Sequence, residues 1–437
     1  MKKAITLMLA MIMFVAVVGG CAPAAAPGET PGAAPTAPGD TAAEEVPVIR
    51  IGILHGVTGP LAAVGQEFVG TVMAAVDIIN NPHPQLGDFP FAAGEGLPNL
   101  GGARIEIVVA DTQSNPEIAA IEADRLINAE GVVALAGGHL SGVALTASVT
   151  AERNRVPYIT GTATSPPLTD RGLEYFFRAT PHDGTFARNA FDFLDSIREQ
   201  YGIETIAIVA EEAEFGAMQR ELYTQEALAR GYTIVESFLY PSAPVSITSE
   251  AIRIAAAQPD VIFQASQGPE AILFTQAFRQ FDVRPTAWIT GRAGFISPEW
   301  FDAVGTDANY VMTINAWSLD LARVKPFIDD INEIVVRHAG VPLNGDYARE
   351  FDAFMILVDA INRAGSTDSA AITQALRETN MSADWLVCPW PGVRFDETGQ
   401  NVYGDGIMTQ VHNQEYVTIW PEAVATAQWV IPMPPWS

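Results

Sequence analysis

The sequence predicts an α/β protein made of two doubly wound parallel-sheet lobes joined by a three-strand hinge. Three observations carry this. From residue 48 onward, short apolar segments rich in Val and Ile alternate with segments of helical period. The alternation continues for longer than one small core requires, and 437 residues suit two domains. Each apolar segment also ends in a turn rich in Gly, Ser and Thr, where open parallel sheets place their ligand-facing loops.

The chain begins MKKAITLMLAMIMFVAVVGGC. Two lysines, an apolar run from Ala4 to Val18 and a small-residue patch follow the order of a secretory signal, assigned to residues 1–20. The run is short and wrongly flanked for a membrane-spanning helix. VGGC at 18–21 resembles the lipobox of bacterial lipoproteins, which implies that Cys21 carries the lipid; the alternative is an ordinary signal with an incidental cysteine. Residues 21–47 then read as the lipidated cysteine and an extended Ala/Pro/Gly tether, too poor in apolar side chains to form a core. With Cys21 acylated, Cys388 is the only other cysteine, so no internal disulfide is available and Cys388 is expected as a buried free thiol. The roughly 390 residues that remain bury enough core without one. A formal net charge of −27 argues against nucleic acid as a partner. It does not exclude a locally positive pocket.

VIRIGIL (48–54) reads as the first strand, and a helix follows with Val69, Val72, Met73 and Val76 on its buried stripe. Residues 81–102, rich in Pro and Gly, read as a surface loop. ARIEIVVAD is the second strand; its helix has Asn115 at the N-cap, Pro116 in the first turn and Gly131 just past the end. VVALAGG, VPYITG, TIAIVAEE, YTIVESFLY, DVIFQAS and TAWITG continue the alternation. The expected domains are 48–180 plus 315–390 and 181–314 plus 391–437. The expected passages between them lie near RATP (178–181), near TINAW (313–317) and before GVRFDETG (392–399). In the C-terminal piece, Trp429 and Trp436 pack on the lobes or meet a partner.

The turns after the strands hold the candidate site: HGVTGPLAAVG, GGHLSG and TGTATSPPLT in the first half, EEAEFG, ASQGPE and TGRAG in the second. Ser141 opens a helix after a strand. Three roles fit such a serine: a nucleophile, a helix cap, or an anchor that holds a carboxylate without reacting. The nucleophile elbow G-x-S-x-G fails, because Leu140 precedes Ser141 and Gly142 follows it directly. A G-x-G-x-x-G phosphate loop fails as well, since position 139 is His. The six histidines show no metal-ligand spacing, and neither metal nor cofactor is expected.

GVTGPLAAVG, DTQSNPEIAAIEADRLI, the continuous stretch 137–172, YFFRATP and EFGAMQ, in this order, resemble the branched-chain amino-acid (Leu/Ile/Val) binding proteins of ABC transporters. The resemblance covers roughly Val48 to Asp405. It implies a type I periplasmic-binding fold and a binding protein rather than an enzyme. It also implies that Ser141, Thr162 and Thr164 hold a ligand carboxylate, with His139 on the same turn. Hydroxyl and main-chain donors at a helix N-terminus suit that task. In the second half, Phe215 covers the ligand or packs in the core, and Gln267 faces the cleft or a solvated turn. Val64 stands where the family often has Tyr. Arg292 stands where amino-acid binders place an acid for the ammonium. Facing inward, Arg292 clamps a second carboxylate or another acceptor-rich group; facing outward, it is a solvated arginine. Asp183, Glu211, Glu212 or Glu214 remain candidates for an ammonium partner. The ligand classes left open are aliphatic or aromatic amino acids, carboxylic acids without an amine, and small amides.

The function expected on this basis is an extracytoplasmic solute-binding lipoprotein, anchored to membrane lipid through Cys21. It closes on a small carboxylate-bearing molecule and delivers it to ABC permease subunits. The alternatives are a ligand-sensing receptor subunit of the same fold, an exported hydrolase and a structural envelope lipoprotein.

Overall fold

The computed structural model describes residues 47–323 and 325–436. The signal sequence, Cys21 and nearly all of the tether lie outside the described residues. The elements run β1 (Val48–His55), α1 (Ala62–Asn80), β2 (Arg104–Asp111), α2 (Pro116–Asn128), β3 (Ala134–Gly137), α3 (Ser141–Asn154), β4 (Tyr158–Thr160), α4 (Pro167–Asp170) and β5 (Phe176–Arg178). Next come α5 (Asp183–Tyr201), β6 (Thr205–Glu211), α6 (Glu214–Ala229), β7 (Thr233–Tyr240), α7 (Thr248–Ala257), β8 (Val261–Ala265), α8 (Gly268–Gln280), β9 (Ala287–Thr290), α9 (Pro298–Val304) and β10 (Met312–Asn315). The chain finishes with α10 (Phe327–Ala339), α11 (Gly345–Ala364), α12 (Ser369–Arg377), β11 (Asn380–Ser382), β12 (Gly392–Arg394), β13 (Ile407–His412) and β14 (Glu415–Trp420).

The first sheet has the order β2-β1-β3-β4-β5 and is parallel throughout. The second has the order β7-β6-β8-β9-β10-β13-β14, parallel as far as β10 and antiparallel beyond it. Both sheets thus repeat one doubly wound order, with the topological switch between β1 and β3 in the first and between β6 and β8 in the second. Such switch points open a crevice at the carboxyl ends of the strands. The candidate turns follow β1, β3, β4, β6, β8 and β9.

Local chemistry explains the elements. The Asn115 side chain caps α2, accepting from the Glu117 and Ile118 amides at 2.8 and 3.0 Å, with Pro116 at the first position. On α1 the buried face runs through Phe68, Val72, Ala75 and Ile79, whereas Met73, expected on that face, is 45% exposed. Small Ala residues face the core there, so side-chain size misplaces the stripe. The 81–102 segment departs further from a solvated loop: Leu86, Phe89, Ala92 and Leu97 are buried, and the Phe89 ring packs, tilted, 5.4 Å from that of Phe327. Its prolines and glycines erase any period while its apolar side chains still fill the core.

Helix α11 is buried continuously from Gly345 to Ile361. A helix apolar on nearly every side belongs inside the molecule. Its buried charged side chains are therefore given partners: Arg349 pairs with Asp346, Glu350 hydrogen-bonds His55, and Asp352 accepts from the Val387 and Cys388 amides. Residues 392–401, which the sequence reading assigns to the second half, instead lie beside the first sheet. β12 pairs with β11, and Gln400 bridges to Arg178 at the end of β5. The guanidinium of Arg178, wholly buried, holds this arrangement by donating to Gln400 Oε1, Ser165 O and Thr169 Oγ1 at 2.5, 2.6 and 2.7 Å. The chain thus passes between sheets after β5, after β10 and between Asn401 and β13. Trp429 packs against Phe193 and Trp436 against Trp288. Cys388 is a free, buried thiol.

Candidate functional site

The first-sheet wall begins at the turn after β3. Gly137 and Gly138 both take positive φ, and a Cβ on Gly138 would sit 2.0 Å from the Tyr158 hydroxyl. That tight turn delivers His139, Leu140 and Ser141 to the start of α3. Leu140 occupies the N-cap and Ser141 is the first helical residue, so Ser141 is not the cap of this helix. After β4, the Thr160 hydroxyl accepts from the Ala163 amide at 3.2 Å and sets the turn carrying Thr162 and Thr164. Gly161 lets α11 lie against this turn, since a Cβ there would meet the Arg349 carbonyl at 2.5 Å. The beginning of α11 thereby brings Asp346 and Arg349 to the site.

The second-sheet wall comes from the turns after β6, β8 and β9. Phe215 is the second residue of α6, and Gln267 is the N-cap residue of α8. Arg292 and Ala293 both hold positive φ, 65° and 46°, which is uncommon for residues other than glycine. The turn is held by the Arg292 amide donating to Thr313 Oγ1 at 3.0 Å and the Gly294 amide donating to Ser266 O at 3.0 Å. It aims the guanidinium inward. Arg292 is 2% exposed, lies 3.9 Å over the Phe186 ring, and donates through Nη2 to Asp183 Oδ1 at 2.9 Å and Thr164 Oγ1 at 3.1 Å.

These two walls meet around a narrow, partly open pocket lined by His139, Leu140, Ser141, Thr162, Thr164, Phe215, Gln267, Arg292, Ala293, Asp346 and Arg349. Val64 is not on its lining. It borders two small neighbouring pockets, which share His139 with the first. Asp346 and Arg349 were missed by sequence reasoning. They lie some 200 residues from Ser141, in a segment far from any turn that follows a strand. The all-round apolar run behind them is the signal that could have found them.

Three buried polar atoms on this lining have no hydrogen-bond partner: His139 Nδ1, Thr162 Oγ1 and Arg292 Nη1. Buried polar atoms are normally paired, so three on one cavity mark a place for a polar guest. Burial holds the His139 imidazole below its usual pKa, which keeps it neutral. Gln267 Nε2 donates to Glu211 Oε1 at 3.0 Å, and burial pushes the Glu211 carboxyl up to about 7. His139 seats no base on Ser141 through Nδ1, so the donor set suits holding an acceptor-rich molecule, not attacking it. Replacing Ser141 by Ala is expected to weaken ligand binding by about 1–3 kcal/mol. Calorimetric titration checks this, and an unchanged affinity removes Ser141 from the site.

Residues 48–415 match the family model described as periplasmic binding protein. The Leu/Ile/Val-binding protein homolog 7 of Brucella abortus is 28% identical over 395 residues, spanning 88% of this chain and 94% of that protein. The branched-chain amino acid transporter substrate-binding protein of Streptococcus pneumoniae, solved with isoleucine, superposes with a TM-score of 0.71 at 20% identity, covering 85% of this chain and 99% of that one. A solute-binding protein of an ABC transporter from R. palustris, solved with benzoate, gives a TM-score of 0.71 at 18% identity, covering 88% and 99%.

Proposed function

From the premise that this chain belongs to the periplasmic binding protein family, we propose that it captures a small carboxylate-bearing ligand and delivers it to the permease of an ABC importer. The relatives are solute-binding proteins, and the chain is a solute-binding protein of that class, not an enzyme. Isoleucine and benzoate, the ligands of the two similar structures, share a carboxylate and little else. The observation that carries the reading is the cavity between the carboxyl ends of the two sheets, with unpartnered polar atoms on both of its walls.

The two sheets act as the two lobes. The passages 179–182, 316–318 and 402–406 act as the hinge that closes them. The ligand docks first on Ser141, Thr162 and Thr164, with His139 beside them. Phe215, Gln267 and Arg292 then close over it, and the permease reads the closed form. A ligand that binds only the folded protein raises its melting temperature. A thermal-shift screen over small carboxylates, with mass spectrometry of whatever co-purifies, is expected to identify at least one. A protein that melts identically with all of them, and carries nothing, sinks the reading.

The signal at 1–20 and the VGGC motif support secretion followed by lipid attachment at Cys21, with 22–47 as a tether at the membrane face. Replacing Cys21 by Ser is expected to move the protein from the detergent-extracted membrane fraction to the soluble extracytoplasmic fraction. Incorporation of labelled fatty acid into the parent chain and not into the variant checks it.

A further inference from the structure

Resting on the solute-binding reading above, we propose that the site selects carboxylates that carry no ammonium group on the adjoining carbon. What the walls leave available to a guest is a set of hydroxyls, a guanidinium and positive helix ends. Arg292 Nη1 is unpartnered on a residue only 2% exposed, and the Thr162 hydroxyl is unpartnered on the facing wall. Arg292 Nη2 is already spent on Asp183 and Thr164, which leaves Nη1 as the donor available to a guest. The N-termini of α3, α6, α8 and α11 all supply lining residues, and each brings a partial positive charge. Each guanidinium is paired with one acid, so the helix ends are the part of the local field that opposes the net charge of −27 on the whole chain.

Of the candidate acids for an ammonium, Glu212 is exposed, and Asp183, Glu211 and Glu214 each already accept within the protein. Asp183 Oδ1 accepts from Arg292 and from Gln219 Nε2 at 2.6 Å; its other oxygen is free, but the residue is fully buried and not on the lining. Glu211 accepts from Gln267, and Glu214 accepts from the Ser165 hydroxyl at 2.8 Å. Asp346 is the one acid on the lining, and its Oδ1 is taken by Arg349. An α-amino acid would place its ammonium among two guanidiniums and four helix N-termini, with only a carboxylate already shared with Arg349 to meet it. That is costly in a buried cleft. A carboxylate alone meets Arg292 Nη1, the Thr162 hydroxyl and the helix N-termini without needing a counter-charge.

The test uses matched pairs on the full-length protein: L-phenylalanine against 3-phenylpropanoate, L-leucine against 4-methylpentanoate, and L-2-phenylglycine against phenylacetate, by calorimetric titration. The expected result is that at least one amine-free partner binds about 100-fold or more tighter than its amino acid, the penalty of an unpaired buried ammonium. Equal or tighter binding of the amino acids overturns the selectivity and leaves the solute-binding reading standing. Silence from all six probes overturns the selectivity and the small-carboxylate reading together. Two variants keep the residues answerable. Arg292→Gln, made with Asp183→Asn so that no unpaired charge is left buried, is expected to reduce the preference to less than tenfold. Thr162→Val removes a hydroxyl that makes no bond within the protein, so it should leave the melting temperature unchanged while weakening the bound acid about tenfold or more. Unchanged affinity in both variants removes the proposed donors.

Discussion

Replacing Arg349 by Met lowers the unfolding free energy by about 3–5 kcal/mol, the range for stripping one partner from a buried ion pair. Arg349 is 1% exposed and paired with Asp346. It also donates to Gly345 O at 2.8 Å and Thr180 Oγ1 at 2.9 Å, so it ties the start of α11 to the segment leaving β5. Without it, Asp346 keeps a desolvated charge on the cavity wall. The double variant Arg349→Met with Asp346→Leu is expected to recover most of the loss, because a well-packed apolar pair replaces a buried ion pair at little cost. Urea unfolding of the single and double variants checks this. A loss under 1 kcal/mol in the single variant, or an equal loss in both, shows that the pair does not anchor α11.

The doubly wound architecture and most element positions were legible because strand and helix periods differ and the caps are explicit. Asn115 and Pro116 mark the start of α2 by chemistry that needs no tertiary context. Residues just after strands were legible as site candidates because a parallel sheet presents them there, and His139, Ser141, Thr162, Thr164, Phe215, Gln267 and Arg292 do line one cavity. What stayed hidden depends on distance along the chain. Asp346 and Arg349 reach the site because Gly161 lets α11 approach, a relation between residues nearly 190 positions apart. The direction of Arg292 is set by two consecutive positive φ values, and neither Arg nor Ala announces such a turn in sequence. Residues 392–401 lie beside the first sheet because Gln400 satisfies Arg178, a pairing with no periodic trace.

Replacing Glu211 by Gln raises stability at pH 8 by up to about 3 kcal/mol and leaves it nearly unchanged at pH 4.5. Burial lifts the Glu211 carboxyl from 4.5 to about 7, so between those values the folded chain holds a proton that the unfolded chain has released. Stability from this group is fully present below about 4.5 and is lost as pH rises through about 7. Each unit of the shift is worth about 1.4 kcal/mol, which sets the ceiling. Glu270 raises the cost further, since it sits close enough to oppose the Glu211 charge. Gln is the right probe because it keeps an oxygen for the Gln267 amide to donate to and cannot ionise. Asp352 is pushed up to about 6 by the same burial and gives the wild type a second slope of the same sign. The difference between variant and parent isolates Glu211, because Asp352 is common to both. Melting curves from pH 4.5 to pH 8 should show the two proteins converging at the acid end and separating steadily above pH 5. Parallel curves across that range mean that Glu211 titrates as a solvated carboxylate and that its burial beneath Gln267 costs the folded chain nothing.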